Sequence, residues 1–195
     1  MTERSLPQFI TFSGPSGSGK SATARHLITV CQRIELARGY TTRMPREYER
    51  KRPFKYREYH HVSLEKFNEL EQSGKLEWSI TLESGRYATP RTLFERNRDT
   101  TLLFLVTPDV VPRIRDLSKG PVVSFYFFPP PMEEIIRRMK ARRDTEDEIA
   151  KRVVDSRSSS WISPLKDSSI QWVPIITEDR SVEQTIQMIR DHLGI

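Results

Sequence analysis

The run Gly14-Pro15-Ser16-Gly17-Ser18-Gly19-Lys20-Ser21 constrains the fold of this chain more than any other feature, because it holds three of the chain's eight glycines and closes on a Lys-Ser pair. The pattern is G-x-x-x-x-G-K-[ST], which works only between a strand and a helix. Gln8 to Ser13 is an apolar, β-leaning run, and a helix is expected from about Gly19 to about Leu36, so both flanks are present. Glycines let the backbone turn through positive φ and leave its N–H groups facing inward, where phosphate oxygens meet the positive end of a helix. In such a loop Gly14, Ser16, Gly17, Ser18 and Gly19 cradle the phosphates of ATP and Lys20 reaches the β- and γ-phosphates. Ser21 offers its hydroxyl to Mg²⁺. A glycine- and serine-rich surface turn that carries a lysine is the bland alternative, and the two flanks weigh against it.

A chain of 195 residues is long enough for one packed domain with a smaller inserted lobe. No apolar run is long enough to cross a bilayer, and the first seven residues lack the apolar core of a secretory signal, so a cytoplasmic protein with no membrane partner is expected. The single cysteine, Cys31, shares a face with Ala24, Leu27, Ile28 and Ile34 and reads as core. Net charge is +6, which suits anionic partners such as nucleotides. Charge alone does not choose among them.

After the first helix, residues 40–61 form the most basic segment, read as loop with short strands. Ser63 caps a short helix from Leu64 to Gln72, Leu76 to Leu82 alternates as a strand, Arg86 to Thr89 extends again, and Pro90 starts another short helix. The α/β alternation then returns. Leu102 to Val106 and Val122 to Phe127 read as buried strands, Met132 to Arg143 and Glu146 to Ser159 as helices, and Gln171 to Ile176 as a last strand whose Pro174 favours an edge. Ser181 to Gln184 is a capping box that opens a final helix. The fold class is therefore α/β: a P-loop NTPase-type parallel sheet with flanking helices and a small inserted lobe. The core spans 1–37 and 91–195 and the lobe 38–90.

Read in order, the loop, Thr41-Thr42-Arg43-x-Pro45-Arg46, Tyr59-x-His61-Val62-Ser63, Glu77-Trp78, Tyr87-x-Thr89 and Arg138-Met139-x-x-Arg142 with Arg152 resemble the guanylate kinase family of nucleoside monophosphate kinases. The resemblance implies transfer of the γ-phosphoryl group of ATP to a nucleoside monophosphate, GMP or dGMP first, with Mg²⁺. It makes the inserted lobe at 38–90 an acceptor-binding lobe and residues at about 137–152 a helical lid, gives the glycine loop to ATP, and assigns Arg43, Arg46, Tyr59 and Tyr87 to the acceptor's phosphate, and Glu77 and Thr89 to its base. Arg138 falls to ATP, and Lys20, Arg46, Arg142 and Arg152 to catalysis. The acceptor is already anionic, so the chemistry needs arginines and a cation more than a general base. Several positions depart from the family's pattern. Gly39 stands where a serine is usual, Ala88 where a glycine is usual, Arg142-Arg143 where an Arg-Gly pair is usual, and Asp109 lies late against the usual strand aspartate. A P-loop kinase on another small phosphate, such as a sugar phosphate, is the alternative within enzymes. A silent kinase-like interaction domain is the alternative outside them, and nucleic-acid binding through the segment from Arg43 to Arg57 rests on charge and aromatics only.

Overall fold

The apolar run before the glycine loop becomes β1 (Phe9–Ser13), buried along its whole length, and it forms the centre of a five-stranded sheet. The computed structural model describes residues 6–95, 99–141, 143–157, 161, 163–166, 169–178 and 180–195, and the side chains at 152, 155–157, 163 and 164 lie outside that description. β1 pairs in parallel with β7 (Thr101–Leu105) on one side and β8 (Val122–Phe128) on the other. β2 (Ile34–Leu36) and β9 (Trp172–Ile176) complete the order β2-β7-β1-β8-β9. All four pairings are parallel. A parallel sheet buries both faces, which is why its strands read as near-continuous apolar runs. Pro174 does sit on the edge strand β9.

One face packs under α1 (Lys20–Val30) and α8 (Val182–Leu193), where Ile10, Phe12, Leu27, Phe125, Phe127 and Ile189 meet. The other packs under α5 (Val111–Leu117), where Phe9, Leu102, Phe104 and Ile114 meet Trp78. Each fully buried Leu, Ile or Phe contributes about 1.5–3 kcal/mol relative to exposure. Ser181 opens α8 as expected, accepting from the Gln184 N–H at 3.2 Å while the Gln184 side chain accepts from the Ser181 N–H at 2.8 Å.

The first helix is shorter than its sequence pattern suggests. It ends at Val30, Cys31 is already extended at φ −126°, and Ile34–Leu36 pairs with β7 as β2. Ile34-Glu35-Leu36 fits a period of two as well as it continues the helical stripe, and the free edge of β7 decides in favour of the strand. Cys31 nevertheless packs against the core.

Residues 39–90 carry a second sheet of β3 (Gly39–Thr41), β4 (Tyr59–His61), β5 (Leu76–Leu82) and β6 (Gly85–Pro90), ordered β4-β3-β6-β5. α3 (Leu64–Gln72) closes it by packing Phe67 and Leu70 on Leu76 and Ala88. The basic segment contains a helical turn that its sequence hides, α2 (Glu47–Arg50), opened by the Arg46 N–H donating to Glu49 Oε2 at 2.8 Å. Pro90 ends β6 instead of starting a helix, and α4 (Thr92–Glu95) follows it. Beyond β8, α6 (Met132–Ala141) and α7 (Glu146–Arg157) pack through Ile135, Met139 and Ile149. In the turn between them Arg143 adopts φ 63°, a left-handed conformation at the position where the family pattern has glycine.

Candidate active site

A cavity of about 510 Å³ opens where the C-terminal ends of β1 and β7 face the second sheet, the place where parallel α/β sheets bind ligands. The glycine loop forms one wall. Gly14, Gly17 and Gly19 take φ of 134°, 82° and 98°, and a Cβ on Gly14 would lie 2.2 Å from the Phe127 carbonyl oxygen. No other residue fits there. The loop is braced from behind. Arg138 Nη1 donates to the Gly17 carbonyl at 3.2 Å and its Nη2 to the Thr177 carbonyl at 3.2 Å, while the Thr177 hydroxyl donates to the Ser18 carbonyl at 3.0 Å. Glu134 Oε1 holds the Arg138 Nε at 2.7 Å. Lys20 begins α1 and lies along the loop, its Nζ donating to the Pro15 carbonyl at 2.7 Å and to Ser18 Oγ at 3.2 Å.

Ser21 has a partner that its sequence context does not announce. Its hydroxyl donates to Glu58 Oε2 at 2.8 Å, and Arg25 Nη1 donates to the other carboxylate oxygen at 2.6 Å. Arg52 stands 3.6 Å away. Glu58 immediately precedes Tyr59, so adjacent residues at the start of β4 serve the loop and the opposite wall. Asp109, the acid that sequence places nearest the family's strand aspartate, is exposed and does not line the cavity. Thr107 lines it instead. Thr107 stands at the N-cap position of the turn Pro108–Val110 but makes no capping hydrogen bond, and its hydroxyl is buried without a partner among the described residues.

The opposite wall gathers Arg43, Arg46, Tyr59 and Tyr87, as the sequence pattern implies. The rings of Tyr59 and Tyr87 meet edge to face at 5.4 Å. Arg43 forks onto Glu49, Nη1 to Oε2 and Nη2 to Oε1, both at 3.0 Å. Burial alone would raise the Glu49 carboxyl, but the hydrogen bonds and charge of Arg43, joined by Arg46, outweigh it and hold the group at about 2. Burial pushes the neighbouring imidazole of His61 below its ordinary value although its Nδ1 meets the Arg43 carbonyl oxygen at 2.8 Å. Arg46 reaches the turn between α6 and α7, its Nε 3.4 Å from Asp144 Oδ1, with side chains 9% and 0% exposed. Among the described residues the Nη2 of Arg46 and the Nε of Arg43 are buried without hydrogen-bond partners, while Arg46 Nε has the Asp144 ion pair alone. Buried guanidinium N–H groups left open in a cavity call for an anion.

Thr89 lines the same cavity, whereas Glu77 does not. Glu77 Oε2 lies 3.2 Å from Arg91 Nε, and its Oε1 accepts from Arg113 Nη2 at 3.0 Å. Arg142 and the side chain of Arg152 lie outside the described residues. No group of three or more metal-ligating side chains occurs among the described residues, and no described helix is long and apolar enough to cross a membrane.

The family model described as guanylate kinase matches residues 7–193. The chain belongs to the guanylate kinase family. Among curated relatives, the guanylate kinase of Agrobacterium fabrum (strain C58 / ATCC 33970) is 32% identical over 155 residues, covering 76% of this chain and 67% of the relative. That of Wolbachia pipientis wMel is 30% identical over 161 residues, covering 80% and 78%. The guanylate kinase structure from Anaplasma phagocytophilum aligns over 100% of this chain and 88% of that one, with a TM-score of 0.65 at 22% identity, which speaks for the fold. As a guanylate kinase family member, the chain is a P-loop kinase of the nucleoside monophosphate class, with the parallel sheet and flanking helices that class requires.

Sequence reasoning missed Glu58, Glu49 and Asp144. Glu58 and Asp144 act on partners brought to them by the fold, whereas Glu49 acts on Arg43 and Arg46, six and three residues earlier, and its place three residues after the N-cap Arg46 was a local signal.

Proposed function

We propose that the protein transfers the γ-phosphoryl group of ATP to the phosphate of a nucleoside monophosphate, giving ADP and a nucleoside diphosphate, with GMP and dGMP the first acceptors to test. The observation that carries this reading is the pairing of two phosphate-binding sets in one cavity. Lys20 and the loop lie on one wall, and Arg43 and Arg46, with buried N–H groups that have no hydrogen-bond partner among the described residues, lie on the other.

The loop N–H groups and Lys20 hold the donor's β- and γ-phosphates, while Arg43, Arg46, Tyr59 and Tyr87 hold the acceptor phosphate in line with them. An oxygen of the acceptor phosphate attacks the γ-phosphorus, and the bond to the bridging oxygen of ADP breaks. The attacking oxygen is already anionic, so no base has to remove a proton. Catalysis comes from holding two like-charged groups together and neutralising charge that spreads over the transferred group. Within this reading residues 38–90 act as the acceptor lobe and residues 137–152 as the lid. Arg142 and Arg152 are assigned to the lid by family pattern, and Arg138 to ATP through the loop it braces.

Mg²⁺ fits the residues present. Ser21 Oγ and a Glu58 carboxylate oxygen 2.8 Å apart make an all-oxygen pair. That suits a cation which takes one or two protein oxygens and fills its remaining positions with phosphate and water. When bound there it would supply positive charge across the β- and γ-phosphate oxygens. Ser21 would be its protein ligand, and Glu58 would orient that hydroxyl and accept from bound water.

In a coupled assay of ADP release over a panel of nucleoside monophosphates and sugar phosphates, monophosphates are expected to stimulate turnover. Lys20→Ala is expected to lower kcat by about 10³. If no nucleoside monophosphate accelerates ADP release, the proposal fails.

A further inference from the structure

Part of the cavity lining is an apolar group, Trp78 with Ala37, Ile80 and Val106 packed in one cluster. Two threonines of the lining stand beside it in the chain or the sheet, Thr107 next to Val106 and Thr89 paired with Trp78. Three features remove the groups with which a carboxylate-based reader would select guanine. The first is the register of β5. Leu76 pairs with Pro90 and Trp78 with Thr89, so Glu77 is the extra residue of a β-bulge, a device that re-aims side chains. Trp78 enters the cavity and packs on Phe9 and Phe104. Glu77, 12% exposed, turns to the two arginines outside it, and Arg113 Nη2 also donates to the Glu77 carbonyl at 2.7 Å. The second is Gly39, where any Cβ would lie 2.6 Å from the Ala88 carbonyl oxygen. β3 and β6 approach too closely for a hydroxyl-bearing side chain to reach the base from there. The third is the end of β7, where Thr107, not an acid, faces the cavity, and its buried hydroxyl has no hydrogen-bond partner among the described residues.

A carboxylate only accepts, so it selects the N1–H and 2-amino donors of guanine. A hydroxyl rotates to donate or accept and meets a 6-oxo or a 6-amino group equally well. We infer that this chain recognises the acceptor base by its apolar walls and by adaptable threonine hydroxyls, and phosphorylates 6-oxo and 6-amino purine nucleoside monophosphates with similar efficiency. The inference rests on the phosphotransferase reading above and narrows its acceptor.

Steady-state kcat/KM for GMP, IMP and AMP, with Mg²⁺ and ATP saturating, tests it on the unmodified protein. A site that reads a base through a committed hydrogen-bonding group rejects the analogue lacking it by about 10⁴, whereas shape and a hydroxyl separate analogues by about 10² at most. The expected GMP to AMP ratio is within about tenfold, and Glu77→Gln should move it by less than about twofold, because Glu77 does not face the base. A ratio above about 10², or one that collapses in Glu77→Gln, overturns the inference while leaving the kinase reading intact. Turnover of no monophosphate at all overturns both. The ratio within each protein cancels any loss of folded material, and circular dichroism of Glu77→Gln registers that loss separately.

Discussion

Glu49 and Glu58 show how single carboxylates set the charge of this site. Glu49 sits beneath the Arg43 fork, its side chain 10% exposed, with its ionisation held at about 2 by Arg43 and Arg46 against the effect of burial. Its folded-state value lies below the ordinary carboxylate value of 4.5. The stability it contributes is therefore fully present above pH 4.5 and is lost as the pH falls from there towards 2. At about 1.4 kcal/mol per unit this is on the order of 3 kcal/mol. Urea unfolding at a series of pH values should show the excess stability of the natural protein over Glu49→Gln shrinking through that window and constant above it. A difference that stays constant down to pH 2 contradicts the assignment. Glu58 is tested differently. If it orients Ser21 and a metal-bound water, Glu58→Gln should raise the Mg²⁺ concentration at the midpoint of Mg²⁺-dependent ADP binding about tenfold, read by calorimetry without turnover. An unchanged midpoint would reduce Glu58 to a partner of Arg25. At this scale the sequence was legible at most of the motif residues that the structure describes: Lys20, Ser21, Arg43, Arg46, Tyr59 and Tyr87 all line the cavity. It was silent on Glu58, which meets Ser21 from 37 positions away, and misleading on Glu77, whose place in a motif says nothing of the bulge that turns it.

Elements explain where the pattern bends. The strand after α1 was invisible because three residues, Ile34-Glu35-Leu36, satisfy both the helical and the extended period, and only pairing with β7 separates the two. The long, strongly periodic elements gave no such trouble: β1, β7, β8 and α8 fall where their apolar runs and caps put them. The turn between α6 and α7 carries a local conflict. Arg143 holds φ 63°, a conformation that costs a residue with a Cβ roughly 1–2 kcal/mol relative to glycine. What holds it there is visible on either side. The Arg143 N–H donates to the Lys140 carbonyl at 2.9 Å and the Asp144 N–H to the Met139 carbonyl at 3.2 Å, closing α6 as the chain turns back. Arg143→Gly is expected to raise stability by about 1 kcal/mol, measured as a higher denaturation midpoint at an unchanged m-value. A lower midpoint would mean that the Arg143 side chain supplies more than its backbone strain removes.

Across the whole molecule, three segments distant in sequence meet on one cavity: the glycine loop before α1, the second sheet, and α6, whose Arg137, Arg138 and Ala141 line it. Arg46 ties the second of these to the turn after the third through the fully buried Asp144, and Glu58 ties the second to the first through Ser21. The second sheet is thereby tied to both neighbouring segments by charge-assisted contacts, the kind that become costly when either partner is left buried alone. The α/β class and the order of elements followed from apolar periodicity and the loop, since those are local. The cross-links did not, since they are made only by the assembled fold. Direct transfer between a donor and an acceptor phosphate held in one cavity is measured by phosphorus NMR of the protein with ATP, Mg²⁺ and a nucleoside monophosphate. Nucleoside diphosphate is expected to appear in step with ADP, one for one, with inorganic phosphate staying near background. ADP accompanied by inorganic phosphate and no nucleoside diphosphate would contradict direct transfer.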